Sequence, residues 1–258
     1  MLQRALASLR RALSSLRTVS FHRRAAPRAA VTLAVAGLLL TMMSPAASAH
    51  SLHGYTLDFF KLHAVKESGE LGSDEPYVVM AVVNLVTREL AVTRTSVFSD
   101  VDTGESRSQT VRLWGPAGTA APLPANNPDN LIILVMAMEH DDCDVNSVAF
   151  RIESEMRSRL GTLGGAARAE IVAGLQDAMF LVGSVACLNI WPWQTSDDWV
   201  GHPQEVRISA ADVATAHSGT TVEKVLEHDG SNTHYRTFFR FQAAPSTVVG
   251  TTSGILVP

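Results

Sequence analysis

Two runs constrain the fold of this 258-residue chain more than any other feature: residues 77–86, near-continuously β-branched and apolar, and residues 131–138, the most apolar of the strand-like runs. Both are too short for a membrane-spanning helix, which needs roughly 20 apolar residues. Near-continuous apolar character over such a length suits buried strands. Residues 55–65 alternate loosely and read as a first strand, and further strands are expected over 91–98, 108–114, 205–208 and 235–242. The segment before the second strand is polar, with two glycines and a proline. Residues 115–130 hold four prolines and read as an irregular connection. Short strands separated by such signals predict a mainly β, antiparallel sandwich or barrel.

The pattern changes over residues 147–184. Ile152, Met156, Leu160 and Leu163, then Ile171, Leu175 and Met179, recur at three- and four-residue intervals on either side of Gly164-Gly165. This spacing predicts two amphipathic helices forming a hairpin inserted into the β domain. Their apolar stripe is expected to pack on the sheet. Arg157, Arg159 and Arg168 supply too little basic character opposite it for a membrane-surface helix.

Residues 1–49 carry seven arginines and no lysine or acidic residue, followed by an uncharged apolar run over 29–43 and Ala47-Ser48-Ala49. Basic start, apolar middle and small-x-small site together form the pattern of a secretory signal peptide, so the expected mature domain is residues 50–258, secreted or extracytoplasmic. The residues around Arg23-Arg24 fit a twin-arginine signal poorly, which leaves the general secretory route as the expectation. Export favours pairing Cys143 and Cys187, the only two cysteines, in a disulfide, the alternative being two buried free thiols. Without the first 49 residues the charge is −11. An acidic body argues against nucleic acid and for cationic partners or metal ions.

Three acidic segments adjoin expected strand ends: Glu67 to Glu75, Glu139 to Asp144, and Asp197 with Asp198. Carboxylates gathered on loops repel unless a cation or water separates them, and calcium takes six to eight oxygen ligands from flexible loops. The run Asp100-Val101-Asp102-Thr103-Gly104-Glu105 also has alternating aspartates before a glycine, but it lacks the length and distal glutamate of a calcium loop and reads as a solvated turn.

Gly72-Ser73-Asp74-Glu75-Pro76-Tyr77-Val78 resembles the Ser-Asp-Pro-Tyr-Val signature of the C2 domain, the calcium- and phospholipid-binding β-sandwich, with Glu75 inserted. Leu134-Val135-Met136-Ala137-Met138-Glu139-His140-Asp141 is similar to the C2 strand that ends in Asp-x-Asp, with Glu in the first acidic place. Asp197-Asp198-Trp199-Val200-Gly201 resembles the family's Asp-Asp-aromatic-Ile-Gly. The three occur in the family's order. The resemblance implies a C2-like sandwich, calcium as the bound ion, and Asp74, Glu139, Asp141 and Asp198 as ligands, with Glu67 and Asp144 nearby. It also places the helical insertion within the third acidic loop, where a Cys143–Cys187 bridge would hold the two halves together. Basic residues for lipid headgroups are not evident, so membrane docking is not favoured, and the partner is an unidentified protein or surface.

Two other readings stay open. No metalloprotease helix, nucleophile elbow or phosphate-binding glycine loop is present, but a metal-dependent hydrolase could use the acidic cluster with His140 as a zinc ligand. A metal-free secreted interaction module could use Trp191, Trp193 and Trp199, which flank the last acidic loop and otherwise cover the end of the core.

Overall fold

The computed structural model describes residues 54–68, 74–115, 120–140, 143–185 and 198–244, all within the unit His50–Pro258. Eight strands form two antiparallel four-stranded sheets. They are β1 (Gly54–Lys66), β2 (Pro76–Asn84), β3 (Glu89–Arg94), β4 (Ser106–Trp114), β5 (Leu131–Glu139), β6 (Asp198–Glu205), β7 (Val222–Asp229) and β8 (His234–Ala244). The first sheet has the order β4-β1-β8-β7 and the second β3-β2-β5-β6. Helices α1 (Val145–Thr162) and α2 (Arg168–Val185) form the inserted hairpin, and a short helix α3 (Ala210–His217) links β6 to β7. The protein is a mainly β sandwich with a helical insertion.

Side chains alternate across a strand, so an ordinary sandwich strand shows one apolar face and one polar face. In β2 and β5 every residue is buried. Val78, Met80, Val82, Ile133, Val135 and Ala137 point into the inter-sheet core, against Leu57, Phe59, Phe239 and Phe241 of the first sheet. Their neighbours Tyr77, Val79, Ala81, Ile132, Leu134 and Met136 point the other way, into a second core made with Ile152, Met156 and Leu160 of α1 and Ile171, Leu175 and Met179 of α2. The apolar runs lack alternation because both faces are covered.

Arginines fasten the hairpin to the sheet. Arg168 at the start of α2 pairs with Glu205 at the end of β6 and donates through Nε to the Asp129 carbonyl at 2.8 Å. Arg157 donates to the Leu90 carbonyl of edge strand β3 at 3.1 Å, and Arg88 to the Leu160 carbonyl of α1. Arg157 and Arg168, two of the three basic residues weighed for a membrane-surface helix, are thus bound to the sheet.

Several boundaries depart from the sequence reading. β3 starts at Glu89, after a turn in which Asn84 Oδ1 accepts from Val86 N–H at 3.0 Å and Arg88 takes a positive φ of 61°. No Gly or Pro marks that turn. Beyond Arg94, Thr95 and Phe98 still donate to β2 carbonyls without forming a ladder. β6 lies over Asp198–Glu205, not 205–208, and Pro203 is tolerated within it because β6 is an edge strand. Gly201 has φ +75°, and a Cβ there would sit 3.0 Å from the Asp229 carbonyl oxygen, so glycine is required where β6 meets β7. Neither α3 nor β7 was expected.

His228 points inward from β7, is 0% exposed, and has Nε2 2.9 Å from the Thr237 hydroxyl, while Nδ1 has no partner among the described residues. Burial lowers its pKa to about 4, against the opposing pull of the Glu227 carboxylate. The unfolded chain therefore binds a proton that the folded one refuses between about pH 6.5 and pH 4, and stability falls as pH drops through that window, by about 3 kcal/mol in full. Urea unfolding across pH should show this slope, and His228→Leu should flatten it; an unchanged slope would assign the acid sensitivity elsewhere. The double-sided core makes a second prediction. Ile133→Ala, on the inter-sheet face, and Leu134→Ala, on the helix face, should each cost about 2–5 kcal/mol. A cost for Leu134→Ala near the ±0.5 kcal/mol of a surface change would contradict the helix-covered face.

Candidate functional site

The register of the second sheet assembles the acidic segments. Glu139, the last residue of β5, lies opposite Pro76, the first of β2, and opposite Asp198, the first of β6. One row across one end of the sheet therefore carries the chain out of β5 toward His140, into β2 from Asp74, and into β6 at Asp198. The backbone keeps this end closed: His140 N–H donates to the Glu75 carbonyl at 3.1 Å and Val101 N–H to the Asp74 carbonyl at 3.0 Å.

Asp74 is 2% exposed, and protein donors surround its carboxylate. Ser68 donates its N–H to Oδ2 at 2.8 Å and its hydroxyl to Oδ1 at 2.6 Å, and the Tyr235 hydroxyl donates to Oδ2. Tyr235 comes from β8 of the other sheet and is fully buried. Burial, then the hydrogen bond to Asp74 and the charges of Asp74, Glu139 and Glu67, hold its phenol far above the ordinary range, so it stays a donor at every working pH. Glu139 is buried, and Glu67 is half-buried with its N–H held by the Thr103 hydroxyl at 3.0 Å.

Two predicted residues take other roles. Asp144 is the N-cap of α1, with Oδ1 accepting from Asn146 N–H at 3.2 Å and Oδ2 from the Ser147 hydroxyl at 2.6 Å. These bonds, the Ser147 hydroxyl foremost, lower its pKa, and the carboxylate belongs to the helix terminus. His140 has both ring nitrogens engaged: Nε2 lies 2.9 Å from the Cys143 carbonyl and Nδ1 3.4 Å from Glu75 Oε2. Since a carbonyl only accepts, Nε2 carries a proton and is closed to a metal.

Asp141 and Cys187 lie outside the described residues, as do Trp191 and Trp193; Asp198 is described through its backbone alone. Cys143 is not a free thiol. Among the described residues no group of three or more His, Cys, Asp or Glu side chains is arranged to hold a metal ion. Calcium takes six to eight oxygens, more than the carboxylates of Glu67 and Glu139 could supply without further ligands. Trp199 stands beside the row, 39% exposed, edge-to-face with Phe180 of α2 at 4.8 Å, while His202 stacks on Phe180 at 4.1 Å. The Asp100–Glu105 run is a closed turn: Glu105 N–H donates to the Asp102 carbonyl at 3.0 Å, and its carboxylate pairs with Arg107 at 2.7 Å.

Sequence reasoning missed Tyr235. It was legible only as an apolar strand residue, because a buried phenol that bonds a carboxylate 161 positions away leaves no local signal.

No protein-family model matches the chain, and no curated protein does. Among solved structures it is similar to human GIVD cytosolic phospholipase A2, with a TM-score of 0.34, 8% identity and 77% of this chain covered. The same enzyme in complex with methyl gamma-linolenyl fluorophosphonate inhibitor and terbium chloride gives a TM-score of 0.31, 7% identity and 76% of this chain. The chain spans 17% of the length of those structures.

Proposed function

We propose that the protein is an exported C2-like binding module that takes calcium at the end of the sandwich where β2, β5 and β6 share a row. The observation that carries this reading is the register of Pro76, Glu139 and Asp198, which draws the three acidic segments to one sheet end. Glu67, Glu139, Asp141 and Asp198 would supply oxygens, and the ion would offset the repulsion between carboxylates held close together by rigid strands. Bound there, it would fix the chain between β5 and α1 and between α2 and β6, and so present a defined surface to a protein or surface partner. A Cys143–Cys187 bridge would keep those two connections together. The hydrolase alternative loses support because His140 is engaged at both nitrogens.

The test is a thermal melt of the purified protein in EDTA, then with calcium, magnesium or zinc, alongside Glu139→Gln. An ion that binds only the folded state stabilises it by about 2.7 kcal/mol at a hundred times its Kd, which raises Tm by about 5–10 °C for a domain of this size. The expected result is a calcium-selective rise that Glu139→Gln abolishes. A rise with zinc alone would favour the hydrolase, and indifference to every ion would leave a metal-free interaction module.

A further inference from the structure

Asp74 occupies the place where the C2 resemblance puts a calcium ligand, yet its surroundings give it another task. A carboxylate has about four lone-pair positions, and here they meet the Ser68 N–H, the Ser68 hydroxyl and the Tyr235 hydroxyl. The Ser68 N–H also lies 3.1 Å from Oδ1, so both oxygens are engaged by protein donors. The donors come from two neighbouring segments of the first sheet: Ser68 from the chain just beyond β1, and Tyr235 from β8. Asp74 itself is fixed by its backbone bridge to Val101, in the turn between β3 and β4. Thr103 of that turn holds the next N–H along, that of Glu67. Two consecutive backbone N–H groups, of Glu67 and Ser68, are thus captured by side chains from two other segments.

We infer that Asp74 and Tyr235 form a latch that holds the chain leaving β1 against β8, and that Asp74 is a positioning residue for Glu67, not a ligand of the ion. The inference rests on the calcium reading of this end and changes its ligand set. A hydrogen bond to a charged acceptor inside the protein is worth more than a neutral one, so removing either half of the latch should loosen the Glu67–Ser68 backbone and weaken the ion site through Glu67.

Tyr235→Phe, Asp74→Asn and the double variant separate the two roles. Amide hydrogen exchange at Ser68, measured without any cation, should accelerate about tenfold in each single variant. The calcium Kd from calorimetry should rise about tenfold in each and no further in the double variant, as expected for two parts of one device. A melt of each variant in EDTA confirms that it is folded. Unchanged Ser68 exchange in Tyr235→Phe would overturn the latch. So would an Asp74→Asn loss of affinity far exceeding that of Tyr235→Phe, with the double variant additive, since that is the behaviour of a direct ligand. If the wild-type protein binds no calcium, the functional reading fails by itself, and Ser68 exchange still decides for or against the latch.

Discussion

Burial of β2 and β5 on both faces is the constraint on which the rest of the structure depends. An antiparallel sheet in a sandwich can leave its outer face to water, and the first sheet does so, with charged and polar side chains around Phe60, Val225 and Phe238. The second sheet cannot, because Val79, Ala81, Leu134 and Met136 would form a large exposed apolar surface. The hairpin α1–α2 is therefore a third layer and not an appendage. Ile152, Met156, Leu175 and Met179 complete a core, and Arg88, Arg157 and Arg168 tie the helices to backbone carbonyls at its margins.

The same layer fixes the acidic end. With both faces of β2 and β5 packed, a register slip of one residue would exchange the contents of two cores, so the register is strongly specified. Glu139 consequently emerges opposite Pro76 and Asp198. In chain order the hairpin falls between β5 and β6. The insertion that covers the sheet thus also separates the two halves of the acidic end. Tyr235 joins this end to the first sheet by donating to Asp74 across the sandwich.

How much could be read in advance follows from the same physics. Strands β1 and β8 and the hairpin were legible because their apolar positions repeat with the period of the element that buries them, and β2 and β5 because they are nearly unbroken apolar runs. β7 was not, because its inward positions include Lys224 and His228. Lys224 reaches Asp212 of α3 at 2.7 Å, and His228 is buried as a neutral side chain, so the strand's alternation disappears among charges. α3 carries a capping box, Ser209 with Asp212, but its eight residues hold few apolar positions to reveal a period. Among the candidate ligands, Glu67, Asp74 and Glu139 do lie at strand ends. Strand ends could not show that Ser68 and Tyr235 engage both oxygens of Asp74, or that Asp144 begins a helix, because both depend on which donors the fold brings to a carboxylate.

Native-state hydrogen exchange, followed amide by amide through α1, α2, β2 and β5, tests the three-layer account most directly. If the hairpin is part of the core, the central amides of both helices and of both strands should open with one common free energy, as a single cooperative unit. Helix amides that open far more readily than those of β2 and β5 would contradict it, showing that the sheet holds its structure without the helical cover.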